Sequence, residues 1–188
     1  MSALVPLTAG VVLRPATVRD AAAIAAVRVA SWRATYRGMM PDDYLDDMDV
    51  GDSTELWAKV LSTAPSKLVA VYVAESDAGV VGFASGNLLA EKKFGLDAEL
   101  GAVYLMPHVQ RAGIGRRLVA AVANTLMSRD ATGLVVWVIA GNKPAREFYK
   151  QLDATLLVEQ PFEWDGLDML EAGYGWRDLT ALVRVCGK

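Results

Sequence analysis

The residues of this chain that could hold a phosphorylated ligand lie in one stretch, residues 100–118. Gly113 and Gly115 stand where an apolar strand, Leu100 to Leu105, gives way to a helix with Arg116 in its first turn. Glycine allows a sharp bend or a close approach, and the unpaired N–H groups of a first helical turn bind anions with help from the helix dipole. The spacing predicts a phosphate-binding turn, with an ordinary strand-to-helix connection as the alternative.

Two common phosphate-binding loops do not fit this spacing. A Walker loop needs Lys and then Ser or Thr after its last glycine, but Arg116 and Arg117 follow here. A dinucleotide-binding loop needs a small residue three positions after Gly115, where Leu118 stands, and it should follow the first strand of a βαβ unit. Both interpretations are therefore excluded.

Residues 110–115 (Gln-Arg-Ala-Gly-Ile-Gly) resemble the (Gln/Arg)-x-x-Gly-x-(Gly/Ala) signature of the GCN5-related N-acetyltransferases. In that family this turn holds the pyrophosphate of acetyl-coenzyme A (acetyl-CoA). The resemblance implies that the cofactor-binding residues here are Arg111, Ala112, Gly113, Ile114, Gly115 and Arg116.

Residues 142–149 (Asn-Lys-Pro-Ala-Arg-Glu-Phe-Tyr) resemble the second mark of the family, Asn-x-x-Ala-x-x-Phe-Tyr. The resemblance implies that Asn142 contacts coenzyme A and that the Tyr149 hydroxyl protonates the leaving thiolate. Asn142 as a helix N-cap and Tyr149 as a core residue are the alternatives, and capping is compatible with ligand contact. The family usually continues with Gly-Phe, where this chain has Asp153 and Ala154. That departure concerns the entry to the sixth strand.

The fourth strand supplies the remaining cofactor contacts that the resemblance implies. In the family a bulge parts this strand from the fifth, and pantetheine makes sheet-like hydrogen bonds in the gap. Counting back from Arg111 assigns those backbone groups to Val103, Tyr104 and Leu105.

Glu99 is the preferred general base, because it lies eleven residues before Gln110, where histone-acetylating members carry a catalytic Glu. A surface glutamate, another acid or a water relay remain the alternatives. Members that acetylate ribosomal protein N-termini have a Glu five residues before the Asn, where this chain has Trp137. Their variant of the mechanism is not supported.

The acceptor side is predicted near Trp32 and Tyr36, which are four residues apart and can share a helix face. Residues 32–45 resemble the helix-turn-helix that borders the acceptor site in one branch of the family, which makes Trp32 and Tyr36 candidate substrate-binding residues. Core packing is their alternative role. Five acids between Asp42 and Asp49 form either a solvated face or a rim that attracts a cationic amine.

Composition excludes several functional classes. The chain has 188 residues, 53% of them hydrophobic, and a net charge of −3, which is unlike a nucleic-acid-binding protein. Cys186 is the only cysteine and His108 the only histidine, so neither a disulfide nor a metal cluster is expected. The start of the chain has no positive charge before Arg14, and no apolar run is long enough to span a membrane. These features predict a cytoplasmic protein with neither a nucleic-acid nor a membrane partner.

The secondary structure follows from apolar periodicity and turn residues. The sequence predicts helices at 18–33, 54–62, 111–129 and 144–151, and strands at 11–14, 68–75, 80–89, 99–106, 134–139, 155–160 and 173–179. Asp52 and Ser53 are predicted to cap the second helix, and residues 91–97 to form a polar connection. The strand-helix-strand unit after residue 99 predicts a right-handed parallel crossover. The fold class is α/β (α+β): a single domain, residues 1–188, whose mixed, mostly antiparallel sheet of about seven strands is splayed between strands 4 and 5.

These observations predict an N-acetyltransferase that transfers an acetyl group directly from acetyl-CoA to a primary amine of a small molecule or peptide, without a metal. The specific part of the resemblance lies in residues 99–149. Another acyl-CoA donor and a non-catalytic acyl-CoA-binding module remain alternatives. A homodimer is among the expectations, and the acceptor is not identified.

Overall fold

The computed structural model of the protein describes residues 10–63 and 68–188. Its strands are β1 Val12–Pro15, β2 Val69–Ser76, β3 Gly79–Lys93, β4 Leu96–Leu105, β5 Leu134–Ile139, β6 Thr155–Trp164 and β7 Leu167–Trp176. Its α-helices are α1 Ala21–Thr35, α2 Asp42–Asp46, α3 Val50–Thr63, α4 Ile114–Met127, α5 Lys143–Gln151 and α6 Leu179–Cys186. Short 3-10 helices cover Val18–Asp20 and Pro107–Val109.

The strands form one seven-stranded sheet in the order β1-β2-β3-β4-β5-β7-β6. Neighbouring strands are antiparallel except β4 and β5, which are parallel because α4 carries the chain across the sheet between them. This arrangement confirms the predicted fold class, including the parallel pair at which the sheet splays.

The two faces of the sheet are covered by different helices. Helix α4 buries Ile114, Leu118, Val122 and Leu126, all 0% exposed, against one face, because residues four apart lie on the same side of a helix. Each such side chain stabilises the fold by about 2 kcal/mol through burial. Helices α1 and α3 cover part of the other face, where Ile24, Val27 and Trp57 pack on Phe83 of β3. The glycine turn before α4 and the candidate acceptor side therefore approach the sheet from different faces.

The end of the chain differs from the prediction. The predicted strand 173–179 has the wrong bounds. Residues 173–176 do lie in β7, but β7 already begins at Leu167, and Leu179 opens helix α6. Asp178 caps α6, because its Oδ1 accepts the Ala181 N–H at 3.0 Å. Gly173 lies inside β7 and does not mark a turn before it. The position favours glycine because a β-carbon there would lie 2.9 Å from the Trp137 ring.

Two smaller predictions are also corrected. Asp52 and Ser53 lie within the first turn of α3, which begins at Val50, so they do not cap it. Instead the Asp49 carboxylate accepts the N–H of Asp52 at 2.9 Å. Residues 91–97 are mainly strand, since β3 runs to Lys93 and β4 starts at Leu96 after a two-residue turn.

Within residues 10–63 and 68–188, no helix is both long and apolar enough to cross a bilayer. The start of the chain, where no positive charge precedes Arg14, falls largely on residues 1–9, outside the described part of the chain.

Candidate active site

The candidate active site is built around the gap between β4 and β5. The two strands pair only over Ala98–Leu100 and Leu134–Val136. Beyond that point β4 remains paired with β3, and β5 remains paired with β7. Residues 101–105 of β4 therefore have no strand partner on the side of β5. An open strand edge of this kind can bind an extended ligand through backbone hydrogen bonds.

A bulge in β4 determines which of its side chains lie on each face of the sheet. Its register with β3 shifts at Gly101, which has no partner of its own. Because of that extra residue, Leu100 before the bulge and Val103 after it both face the core under α4. Glu99 and Tyr104 therefore lie on the opposite face, and Tyr104 packs there beside α1.

The turn between β4 and α4 folds back on the end of β4. The Gln110 side-chain amide donates to the Leu105 carbonyl at 3.2 Å, and Ser31 of α1 donates to the same oxygen at 3.2 Å. The Leu105 carbonyl thus already has partners within the protein. Arg111 has φ 59°, and Gly113, the N-cap of α4, has φ 78°. Two left-handed residues so close together turn the chain sharply into the helix.

The two glycines of this turn serve different purposes. A β-carbon on Gly113 would meet nothing within 4 Å, so its left-handed backbone is what favours glycine. A β-carbon on Gly115 would lie 3.3 Å from the Phe148 ring, so its lack of a side chain lets α4 approach α5. The turn and α5, which carry the two sequence motifs, are thereby in direct contact.

The start of α4 has the features of an anion site. The first α4 N–H bonded to the preceding backbone is that of Arg117, which donates to the Gly113 carbonyl at 3.3 Å. The N–H groups of Ile114, Gly115 and Arg116 precede it and have no such partner within the helix. Among the described residues, Arg111, Arg116 and Arg117 form no ion pair. These groups suit the pyrophosphate of a coenzyme A ligand.

Helix α5 positions Asn142 and Tyr149. Asn142 is buried and caps the helix, since its Oδ1 accepts the Ala145 N–H at 3.1 Å. Capping was one of the roles expected for this side chain, and the same side chain also lies within reach of the Tyr36 hydroxyl. Tyr149 is 6% exposed and packs edge-on against Phe148 and Trp176, with ring centres 5.2 and 5.9 Å away.

Three tyrosines from separate elements meet near Asn142. Burial raises the pKa of Tyr149, and the neighbouring Tyr36 raises it further. Burial also raises the pKa of Tyr36, while Tyr104 and Asn142, which lie within reach of its hydroxyl, oppose the rise. Burial raises the pKa of Tyr104 well above its ordinary value. All three phenols are therefore protonated at neutral pH and can donate a proton or a hydrogen bond.

Arg146 fixes α5 to the sheet, a role that sequence reasoning missed. Its Nε donates to the Tyr174 hydroxyl at 2.9 Å, its Nη1 donates to the Ala140 carbonyl at 3.1 Å, and its Nη2 pairs with Glu159. Tyr174 is fully buried in β7. The only signal in the sequence was an arginine at a variable position of the second motif.

Glu99 is placed beside a cation. Its side chain is 23% exposed, and its Oε2 accepts from Lys93 Nζ at 2.9 Å. The same ammonium lies 5.8 Å from the centre of the Trp137 ring. Glu99 shares a face of β4 with Tyr104, but it lies at the paired end of the strand and has no hydrogen bond to Tyr149 among the described residues.

The predicted acceptor residues form part of an aromatic wall. Trp32 and Tyr36 are both buried, with ring centres 4.9 Å apart, and Trp32 lies 6.4 Å from Tyr104. Trp164 of β6 joins the wall at 5.5 Å from Trp32 and donates its Nε1–H to the Tyr44 hydroxyl at 2.8 Å. Sequence reasoning missed Trp164, because it ended this strand at residue 160.

A seven-stranded sheet splayed at its parallel pair, with a glycine turn at the gap, defines a class of acyl-CoA-using enzymes, and comparison with known proteins agrees. The model of the acetyltransferase (GNAT) family matches residues 29–153. The Bacillus subtilis protein YuaI, described as an uncharacterized N-acetyltransferase, is 37% identical over 173 residues, which are 92% of this chain and 96% of YuaI. The chain belongs to the GNAT family. This membership confirms the predicted family and enzyme class, an acetyl-CoA-dependent N-acetyltransferase.

Solved structures show the same fold at low sequence identity. PaiA N-acetyltransferase from Thermoplasma acidophilum, in complex with coenzyme A, has a TM-score of 0.68 and 20% identity, covering 87% of this chain and 98% of PaiA. The structure of yncA from Salmonella typhimurium, with its cofactor acetyl-CoA, has a TM-score of 0.66 and 18% identity, covering 89% of this chain and 94% of yncA.

Proposed function

We propose that this protein transfers an acetyl group from acetyl-CoA directly to a primary amine of a small molecule or peptide. The observation that carries the proposal is the meeting of the β4–β5 gap, the α4 turn and the phenols of Tyr36, Tyr104 and Tyr149 at one place. A ligand-binding edge and proton donors are thus adjacent.

The residues present fit acetyl-CoA. The N–H groups at the start of α4 suit its pyrophosphate, as do the side chains of Arg111 and Arg116, which form no ion pair within the described ranges. The open edge of Val103 and Tyr104 suits the amide groups of its pantetheine arm. When bound, acetyl-CoA supplies an acetyl thioester as the acyl donor.

The chemistry assigns roles to two side chains. An amine that attacks the thioester carbonyl carbon forms a C–N bond as the C–S bond breaks, and it must give up a proton. Glu99 is the proposed acceptor of that proton, for which its contact with Lys93 must first open. Tyr149 is the proposed donor to the departing sulfur, a role supported by the resemblance of residues 142–149 to the second family motif.

The proposed acceptor site lies against Trp32 and Tyr36. Trp32 Nε1 is buried, and the described residues offer it no hydrogen-bond partner of good geometry, although the Tyr104 hydroxyl lies near it. A buried N–H of this kind gains a hydrogen bond if a polar ligand reaches it. The homodimer and the cytoplasmic location stay predictions.

Thiol release from acetyl-CoA, measured with a panel of alkyl monoamines, diamines, aromatic amines and peptide N-termini, tests the proposal. We expect at least one class to raise the rate well above the rate without amine. Propionyl-CoA in a parallel series tests the alternative donor. If acetyl-CoA binds calorimetrically but no amine accelerates thiol release, a non-catalytic binding module is the better description.

A further inference from the structure

A second cleft, of about 460 Å³, lies on the acceptor side of the molecule. It is bordered by the end of α2, the start of α3 and the turn between β6 and β7, and Arg28 of α1 forms part of its wall. Four carboxylates line it, from Asp47, Asp49, Asp52 and Asp165. Its volume lies in the range of small-molecule sites, and the Arg28 guanidinium offsets only part of its negative charge.

Ser53 gives the cleft an unfilled hydrogen-bonding group. Ser53 is 5% exposed and lines the cleft, and its Oγ has no hydrogen-bond partner in the part of the chain that the structure describes. A buried hydroxyl without a partner costs stability, so such groups are uncommon in native proteins and mark places where a ligand can supply the missing bond. Asp49 is already used within the protein, where it caps α3.

The carboxylates are dispersed around the cleft. Three of them lie between the end of α2 and the start of α3, and Asp165 lies in the turn between β6 and β7. Within the described ranges no three acidic, histidine or cysteine side chains converge as metal ligands would. Separated negative charges suit a flexible molecule that carries several ammonium groups, since each charge can then find its own partner.

The cleft adjoins the aromatic wall of the acceptor site. Arg28 stacks over Trp32, with its guanidinium carbon 4.7 Å from the ring centre. On the other side, Tyr44 lines the cleft and accepts a hydrogen bond from Trp164, which itself packs on Trp32. Only one layer of aromatic rings therefore separates the cleft from Tyr36.

We infer that this cleft binds the non-reacting cationic end of the acceptor, so that the acceptor is a linear aliphatic polyamine, with at least two ammonium groups. The inference rests on the proposed amine acetylation. One end of such a molecule is held by Asp47, Asp165 and the Ser53 hydroxyl, while its other amine extends past Trp164 toward the phenols near Tyr149.

The test compares spermidine with n-butylamine, using the full chain, acetyl-CoA and the variant Asp47→Asn/Asp165→Asn. Asn keeps the shape of both side chains and tolerates the left-handed backbone of Asp165, whose φ is 49°. Asp77→Asn/Asp153→Asn is the matched control, because it removes the same charge outside the cleft and also includes one left-handed position, Asp153.

We expect KM for spermidine to rise about tenfold in the cleft variant, with kcat nearly unchanged and the effect shrinking at high salt. KM for n-butylamine and both constants of the control variant should stay the same. Ser53→Ala should weaken spermidine binding in a calorimetric titration without lowering the melting temperature, because it removes an unpartnered hydroxyl.

Each other outcome has a separate meaning. Equal rises in KM for spermidine and n-butylamine, or no rise for either, would overturn the assignment of the cleft but leave amine acetylation standing. Spermidine binding that depends on Asp47 and Asp165, without thiol release for any amine, would overturn the proposed function and keep the cleft as a polyamine site. Absence of spermidine binding and of any preference for spermidine over n-butylamine would refute the cleft inference.

Discussion

Lys93 Nζ lies 2.9 Å from Glu99 Oε2, so the proposed general base holds an ammonium of the protein itself. Both groups are partly exposed, and exposed ion pairs of this kind contribute only about 0.2–1 kcal/mol. An acceptor ammonium can therefore displace Lys93 at low cost. After that exchange Glu99 is free to take the proton of the acceptor.

The first prediction concerns Glu99→Gln. We expect turnover to fall by roughly a hundredfold at neutral pH and by much less at alkaline pH, where the acceptor is already deprotonated. Initial rates across a pH series check this. Glu91→Gln, an exposed change on β3, is the control. A profile that moves down uniformly, without a change of shape, would assign Glu99 to a structural role.

Sequence reasoning succeeded where the signal is local. Helix α4 is predicted by apolar residues four positions apart, namely Ile114, Leu118, Val122 and Leu126. Strand β5 is predicted by an unbroken apolar run. The glycine turn was found because left-handed backbone and close packing both favour glycine.

Features that depend on distant contacts were missed. Trp164 completes the aromatic wall through Tyr44, from which it is separated by 120 residues. Arg146 bonds to Tyr174, 28 residues away. No periodicity or spacing near either residue reports these partners, because the sheet order β5-β7-β6 brings them together.

The second prediction separates backbone geometry from side-chain size at Gly113. Val at φ 78° is strained and disrupts the turn, whereas Asn accepts a left-handed backbone. Acetyl-CoA at a hundredfold excess over its dissociation constant stabilises a folded protein by about 2.7 kcal/mol, which raises the melting temperature. Gly113→Val should lose that shift and Gly113→Asn should keep most of it. Equal shifts in both variants would remove the turn from the cofactor site.

The third prediction concerns acid stability. Arg14 donates two hydrogen bonds to Asp20, at 2.8 and 2.9 Å, and these hold the pKa of Asp20 at about 2. The folded pKa lies below the unfolded one, so the carboxylate stabilises the fold above about pH 4 and this contribution is lost as the pH falls toward 2. Asp20→Asn should lower the free energy of unfolding by roughly 2 kcal/mol at pH 7.

Urea unfolding between pH 7 and pH 2 measures that effect. The Asp20→Asn protein should lose less stability over this range than the unsubstituted protein does. Asp77→Asn, at an exposed turn, should follow the unsubstituted protein. Parallel curves for Asp20→Asn and the unsubstituted protein would show that the Arg14 contact does not control acid stability.

The last prediction tests the proposed proton donor with the loss of one atom. Tyr149→Phe removes the hydroxyl but keeps the ring that packs on Phe148 and Trp176. A general acid contributes typically about 10²- to 10⁴-fold to a rate, so kcat should fall at least about tenfold while the affinity for acetyl-CoA changes little. Calorimetric titration and initial rates on the same preparation measure the two quantities. Tyr36→Phe serves as the comparison, because it removes a hydroxyl of the same cluster from a residue that is proposed to contact the acceptor and not the departing sulfur. If Tyr149→Phe lowers affinity and rate together, Tyr149 positions the cofactor, and if kcat is undiminished, solvent protonates the thiolate and Tyr149 is not the acid.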